Sequence, residues 1–249
     1  MKWRVIVAFM GVMVGFLFCS AVLADIVVLK QGVSGYYGAA DTYIEEEDWP
    51  GTNHGNLWYM HLYMQHHDPE QSALVKFDLT DQLPPNAEIQ SATLSLWVYQ
   101  LVDMTGNDWL DVAPYRVRHY KDWAEYDATW HIFKGSSLWA TPGCESTTGD
   151  RFANPDDDPI RFTKDSGVNR YYHWDVTSSV QDWYAGTQNN NGWLIRIVEH
   201  DGGSEGISLN AKESDVPDYR PYLTITYIPD PATICLLGLG ALALVRKRR

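Results

Sequence analysis

Period-2 alternation of apolar and polar residues dominates this chain. In NLWYMHLYM, Asn56 to Met64, the residues Trp58, Met60, Leu62 and Met64 fall on one face and Leu57, Tyr59, His61 and Tyr63 on the other, as a pleated strand requires. The same rhythm recurs in SALVKFDL (Ser72 to Leu79), ATLSLWVYQL (Ala92 to Leu101), LDVAPYRVR (Leu110 to Arg118), GWLIRIVE (Gly192 to Glu199) and PYLTITY (Pro221 to Tyr227). Each run is short, rich in β-branched or aromatic residues, and bounded by Gly, Pro, Asn or Asp. The pattern predicts an all-β protein, an antiparallel β-sandwich. One segment breaks it. In DVTSSVQDWYAG, Thr177 stands at an N-cap position, Val180 and Trp183 are three apart, and Gly186 marks a stop, which predicts a short helix of two turns. Polar loops are expected at Glu45 to Asn56 and Gly143 to Pro159, and no internal repeat or low-complexity linker divides the domain.

The two ends follow a different pattern. Lys2 and Arg4 precede an apolar stretch from Val5 to Phe18, and Val22 and Ala24 follow as small residues, so 1–24 reads as a secretory signal peptide cleaved after Ala24. Phe18 rather than a small residue precedes Cys19, which argues against lipidation. At the other end an apolar run from Ala232 to Val245 meets Arg246, Lys247, Arg248 and Arg249. That run is about 14 residues, against roughly 20 for a free-standing membrane span. Both ends are expected to be apolar targeting helices flanking one domain at 25–228.

Setting these ends aside sharpens the rest of the composition. Only Cys144 of the three cysteines remains, so the domain is held by packing and not by disulfides. Removing Lys2, Arg4, Asp230 and the four terminal basic residues from 19 basic and 32 acidic residues leaves 13 against 31, a net charge of −18. So acidic a body is repelled by nucleic acid and by anionic membrane surfaces. Neutral ligands and divalent cations remain open.

In order along the chain stand DTYIEE, NHGN, SALVKFDLTDQLPPNAEIQSATLSLWVYQ, DWAEYDATW, HWDVTSSVQDWYAG, NNGWLIRI and RPYLTITY. This series resembles the DNRLRE domain, carbohydrate-binding module family 96, first noticed in disaggregatase-type surface proteins. The resemblance runs from about Ile26 to Tyr227 and is most specific at Ala73 to Leu96 and in the DVT…W segment. It implies a jelly-roll β-sandwich, secretion, and binding to cell-surface polysaccharides, alginate among them. Gripping an acidic polymer needs Lys or Arg against its carboxylates, whereas the first long loop carries Glu45, Glu46, Glu47 and Asp48 in succession. Neutral sugars, or an acidic glycan bridged through calcium, suit these residues better.

The closing segment resembles the PEP-CTERM sorting signal of Gram-negative bacteria. Its tripeptide here is Pro229, Asp230, Pro231, with Asp where Glu is usual, followed by the apolar run and the basic end. The resemblance implies transient insertion in the inner membrane with the basic end cytoplasmic, cutting near the tripeptide by an exosortase-type protease, and release to the cell surface or matrix.

Within the domain, 11 tryptophans and 15 tyrosines in the chain supply flat rings suited both to stacking on sugars and to filling a core. Trp58, Trp97, Trp130, Trp174 and Trp183 occupy strand or family-like positions and are expected in the core. Trp49, Tyr59, His61, Tyr63 and Trp109 lie in polar loops or on the polar side of a strand and are the candidate ligand contacts. His54, His61, His66 and His67 crowd together beside Asp68, but their spacing matches no familiar metal pattern and reads as a solvated loop and strand edge. Asp156, Asp157 and Asp158 are candidate oxygen ligands for a structural calcium, without the spacing of an EF-hand.

For catalysis, Glu125 and Asp127 are the tempting carboxylate pair; beside Trp123 and Trp130 they read as loop anchors. The zinc-protease and phosphate-loop motifs are absent. The first expectation is therefore a non-catalytic, secreted polysaccharide-binding module without a cofactor, except for a structural calcium. A structural or adhesive matrix protein is the alternative, with a polysaccharide lyase or hydrolase behind both. If the tail is a sorting signal, exported protein ends near Pro229 to Pro231 and lacks Cys235. Mass spectrometry of the C-terminal peptide checks this, and an intact peptide through Leu236 would overturn it.

Overall fold

The computed structural model describes residues 23–46, 50–65 and 68–230. The expected apolar targeting segments, Pro231, the four terminal basic residues, Trp49, His66 and His67 lie outside the described residues. Among the described residues no helix is long and apolar enough to cross a membrane.

The chain forms antiparallel strands with one short α-helix. In order they are β1 (Asp25–Lys30), β2 (Ala39–Glu45), β3 (Tyr59–Gln65), β4 (Asp68–Phe77), β5 (Glu88–Val102), β6 (Trp109–Arg116), β7 (Ile132–Lys134), β8 (Ser137–Leu138), β9 (Ile160–Thr163), β10 (Arg170–Asp175), α1 (Thr177–Tyr184), β11 (Trp193–His200), β12 (Ser204–Asn210) and β13 (Tyr222–Ile228). All six anticipated strands are present. The hydrogen-bonded path runs β1-β13-β5-β12-β3-β4-β11-β6-β9, with β10 on β5 and β2 on β4, so one curled sheet folds over itself into a sandwich; β7 and β8 form a separate hairpin.

The main core lies between the two halves of that curl. From β5 it takes Ala92, Leu94, Leu96 and Val98; from β3, Met60, Leu62 and Met64; from β4, Ala73, Val75 and Phe77; from β11, Trp193, Ile195 and Ile197. Each set is spaced by two, so the opposite residues must point away from this core. On β4, β11 and β6 those opposite residues are also apolar: Leu74, Leu194, Ala113 and Tyr115 are buried in a second cluster. Its cover is the long excursion between β6 and β9, which contributes Trp123, Trp130, Trp139 and the free Cys144. The excursion is tied down at Asp150, fully buried, whose carboxylate accepts the backbone N–H groups of Ala140, Thr141 and Ser146 at 2.7–3.2 Å. One half of the curl is therefore buried on both faces. The half made of β1, β13, β5 and β10, continued by β12 and β3, carries part-exposed side chains on its outer face.

Three expectations need correction. Trp58 is not a core residue: it is 49% exposed, because β3 begins at Tyr59 and the alternation does not extend back to it. Trp97 is half-buried on the outer face of β5, whereas Trp130, Trp174 and Trp183 are buried as expected. Thr177 is the first residue of the helix and not its cap; its hydroxyl accepts the Ala92 N–H at 2.9 Å, and the Asp175 carboxylate takes the Thr177 N–H at 2.8 Å.

Trp174 is fully buried in the main core, and its indole N–H donates to the Val112 carbonyl at 3.2 Å. Trp174→Ala leaves a cavity and an unpaired carbonyl, and is expected to lose about 3–5 kcal/mol of stability. Urea denaturation checks this, and a loss below about 1 kcal/mol would mean that the site collapses freely.

Candidate functional site

The outer face of the open half is built by register. Lys30 on β1 lies opposite Tyr222 on β13, Tyr222 opposite Ser95 on β5, and Ser95 opposite His173 on β10; one step along, Trp97 lies opposite Tyr171. Period-2 alternation therefore gathers Lys30, Tyr222, Tyr171 and Trp97 on one surface. The turn after β12 brings Tyr219 across it. Tyr219 stacks on Trp97 with ring centroids 4.4 Å apart and planes within 18°, while Tyr171 meets Trp97 and Tyr222 edge-on at 5.0 and 4.7 Å. These side chains, with Val28 and Asp218, line a groove of about 490 Å³.

Hydrogen bonds hold the rings still. The Tyr171 hydroxyl donates to the Asp218 carbonyl, and at 2.9 Å to the Arg220 carbonyl. Lys30 Nζ donates to the same Asp218 carbonyl at 3.1 Å and sits 5.0 Å from the Tyr222 ring centroid. Burial pulls the Lys30 ammonium below the usual lysine range, partly offset by Asp218. Burial pushes the Tyr171 phenol up, so it stays a neutral donor.

The aromatic surface continues past Trp97. A register shift in the pairing of β5 with β12 falls at Tyr99, which stays on the outer face two residues from Trp97. Tyr99 packs 5.2 Å from Trp58, Trp58 lies 5.1 Å from Tyr59, and Tyr59 lies 4.6 Å from His61. Beneath them β12 presents Ser204, Gly206, Ser208 and Asn210 on this face, small enough for rings from β3 and β5 to lean over it. His61 Nδ1 bonds the buried Ser208 hydroxyl at 2.8 Å. Tyr43 from β2, buried in the main core, packs 5.5 Å from His61 and stacks at 4.0 Å on His54, whose Nε2 bonds Glu45 at 3.0 Å.

Of the ligand contacts anticipated from sequence, the structure brings Tyr59, His61 and Tyr63 onto one face of β3, with the Tyr63 hydroxyl donating to Asp103 at 3.2 Å. Trp109 is not among them. It sits on β6, with β4 and β11 between it and β3, and the Arg161 guanidinium covers its ring at 3.8 Å. Trp58, Trp97, Tyr99, Tyr171, Tyr219 and Tyr222 were not anticipated as contacts. The outward parity of Trp97 and Tyr99 opposite Leu96 and Val98 was the available signal for two of them.

The structure does not bring Asp156, Asp157 and Asp158 together as one oxygen site. Asp156 turns inward, accepting the Trp193 indole N–H at 2.6 Å and the Ser179 hydroxyl, and burial raises its pKa. Asp157 accepts the Asp175 N–H at 2.6 Å, and Asp158 is exposed. Glu125 and Asp127 do anchor loops: Glu125 accepts the Asp41 N–H at 3.0 Å and Asp127 the Gly135 N–H at 2.9 Å.

The family model for the disaggregatase-related repeat domain matches residues 52–225. The chain belongs to that family. Comparison with curated proteins finds no match. The matched span of the disaggregatase-related repeat carries most of the aromatic face, from Trp58 to Tyr222, but leaves β1 and β2 outside it.

Burial, and then the neighbouring His54, pull the His61 imidazole below its ordinary range. Its folded pKa thus lies under the unfolded value of about 6.5, so the stability held by neutral His61 is present above that pH and is lost as the pH falls. Between pH 7 and pH 5 the native protein is expected to lose more stability than His61→Gln, which keeps a polar partner for Ser208. Paired urea titrations check this; equal losses would remove His61 as a source of the slope.

Proposed function

We propose that this protein is a secreted, non-catalytic carbohydrate-binding module acting at the cell surface or in an extracellular polysaccharide matrix. The observation that carries the reading is the run of part-exposed rings on one sheet face, from Tyr222, Tyr171, Tyr219 and Trp97 through Tyr99 to Trp58 and Tyr59. Tyr and Trp offer large, amphipathic contact area at little cost in side-chain freedom, and the hydrogen bonds and stacks here restrain them in advance. A row of rings crossing several strands suits a chain of sugars better than a single small molecule. Around the rings stand hydroxyl and amide groups that can bond sugar hydroxyls, Thr93 and Gln100 among them.

The charge of the groove favours neutral glycans. Among the described residues, Lys30 is the single cation lining it and Asp218 the single carboxylate. A glycosidase needs two carboxylates flanking the bond, so this lining favours binding over hydrolysis. Family membership supports a carbohydrate-binding type of domain, and secretion rests on the expected signal peptide and sorting segment.

A second reading, a self-associating matrix protein, has one observation in its favour. β1 is an edge strand with Ile26 66% and Val28 43% exposed, and an unpaired strand edge is a template for another chain.

Affinity electrophoresis against neutral and uronate polysaccharides separates these readings. Retardation by a neutral polymer is expected, and Trp58→Ala and Trp97→Ala should each weaken it about 5- to 30-fold, equivalent to about 1–2 kcal/mol per ring. Trp58 is half in solvent, so its replacement leaves the fold intact. No retardation by any polymer, with concentration-dependent assembly in sedimentation, would overturn binding in favour of the matrix reading.

A further inference from the structure

Behind the aromatic face three carboxylates from distant parts of the chain converge. Asp41 comes from β2, Glu125 from the excursion after β6, and Glu213 from the turn after β12; one oxygen from each lies within 4.8 Å of the others. Two oxygens bound at about 2.4 Å to a common calcium ion can be at most about 4.8 Å apart, so this spacing fits a single coordination sphere.

The hydrogen bonding around the three groups is incomplete. Asp41 is 1% exposed; its Oδ2 accepts the Lys212 N–H at 2.8 Å, while its Oδ1 is buried with no partner. Glu213 Oε2 is likewise buried without a partner. The local cation is Lys212, whose Nζ lies 3.1 Å from Glu125 Oε1 and also pairs with Glu213 Oε1. One ammonium among three carboxylates leaves two negative charges uncompensated in a buried place, where an orphaned carboxylate oxygen is costly. Consistent with that, burial and then Glu213 hold the Asp41 carboxyl well above its ordinary range, and burial raises Glu125.

We infer that Asp41, Glu125 and Glu213 form a binding site for a hard divalent cation, calcium in the first place, that joins β2, the excursion and the β12 turn. All the donors are oxygens, the choice of calcium over a softer transition metal. The two orphaned oxygens become ligands, and a charge of +2 balances the excess. Lys212, 5.8 Å from the centroid of the exposed Tyr126 ring, is the group that yields. The site also reaches the aromatic face. Asn53 donates to the Glu125 carbonyl at 2.6 Å, and the Ala211 N–H, next to Lys212, donates to the Trp58 carbonyl at 2.9 Å. The segment carrying Trp58 is thereby fastened to the proposed ion's ligands.

The test uses the full domain stripped with a chelator and titrated with calcium alone, followed by calorimetry and thermal unfolding. Binding of one ion is expected, with Tm rising by roughly 5–10 °C at a hundredfold excess over Kd. Asp41→Asn, isosteric and uncharged, should abolish the response; without an ion it relieves buried charge and is neutral or stabilising. Glu213→Gln, at a partly exposed position, should weaken binding at least tenfold even if Asp41→Asn folds poorly. Lys212→Met should tighten it by removing the competing ammonium. Absence of heat and of any Tm shift would overturn the site, and so would a response unchanged in Asp41→Asn and Glu213→Gln, which would place the ion elsewhere, as at His200, Asp201 and Glu205. Because no sugar is present, the result is independent of polysaccharide binding.

Discussion

The longest strand, β5, is the element on which the other parts of this domain depend. Over Glu88–Val102 it pairs with β13 and then β12 along one edge and with β10 along the other, so three strands take their register from it. Its alternation sends Ala92, Leu94, Leu96 and Val98 into the core and leaves Thr93, Trp97 and Tyr99 outside. A slip of one residue would exchange these two sets, placing bulky rings in the core and small aliphatic groups in water. Core and binding face are thus two consequences of one register, and the bulge at Tyr99 is where the register adjusts so that β12 can follow β13 along the same edge.

The two halves of the curl meet water differently. Behind β4, β11 and β6 the excursion supplies Trp123, Trp130 and Trp139, so the aromatic content on that side is spent on packing. It is pinned by buried polar groups: Asp150 gathers three backbone donors, and Glu145 pairs with both Arg151 and Arg196 at 3.0 and 2.9 Å. On the other half no such cover exists among the described residues, and the rings there stay partly in solvent. Tryptophan abundance therefore has two separate causes, and composition alone does not divide them.

Much of the fold was legible because it rests on local alternation. Strands in the middle of the sheet, such as β5 and β11, show it clearly. β1 and β12 show it less: Ile26 and Val28 are apolar yet exposed at an edge, and Gly206 stands where a β-carbon would strike the Leu62 carbonyl at 2.3 Å. Trp58 misled because its parity matches Met60, although the strand begins one residue later. The groove was half legible. Trp97 can be placed by parity, but Tyr219 reaches it from a turn 122 positions on, through a stack that no spacing predicts. The carboxylate cluster was not legible at all, since Asp41, Glu125 and Glu213 meet only through the closure of the sheet. The adjacent aspartates at 156–158 show the converse: neighbours in sequence, they point to different surroundings.

Pairing of β1 with β13 has a mechanical consequence. Asp25 lies opposite Tyr227 in antiparallel register, so the chain enters and leaves the sandwich at neighbouring points. Whatever is joined to either end pulls from the same corner. Tension between those two ends peels the six pairs from Asp25–Tyr227 to Lys30–Tyr222 one after another, a zipper that opens under low force. A load between the aromatic face and either end is carried differently, along strands that are bonded on both sides and must shear together. The domain is thus easily unfastened by its own termini and resistant to a pull through whatever rests on its rings.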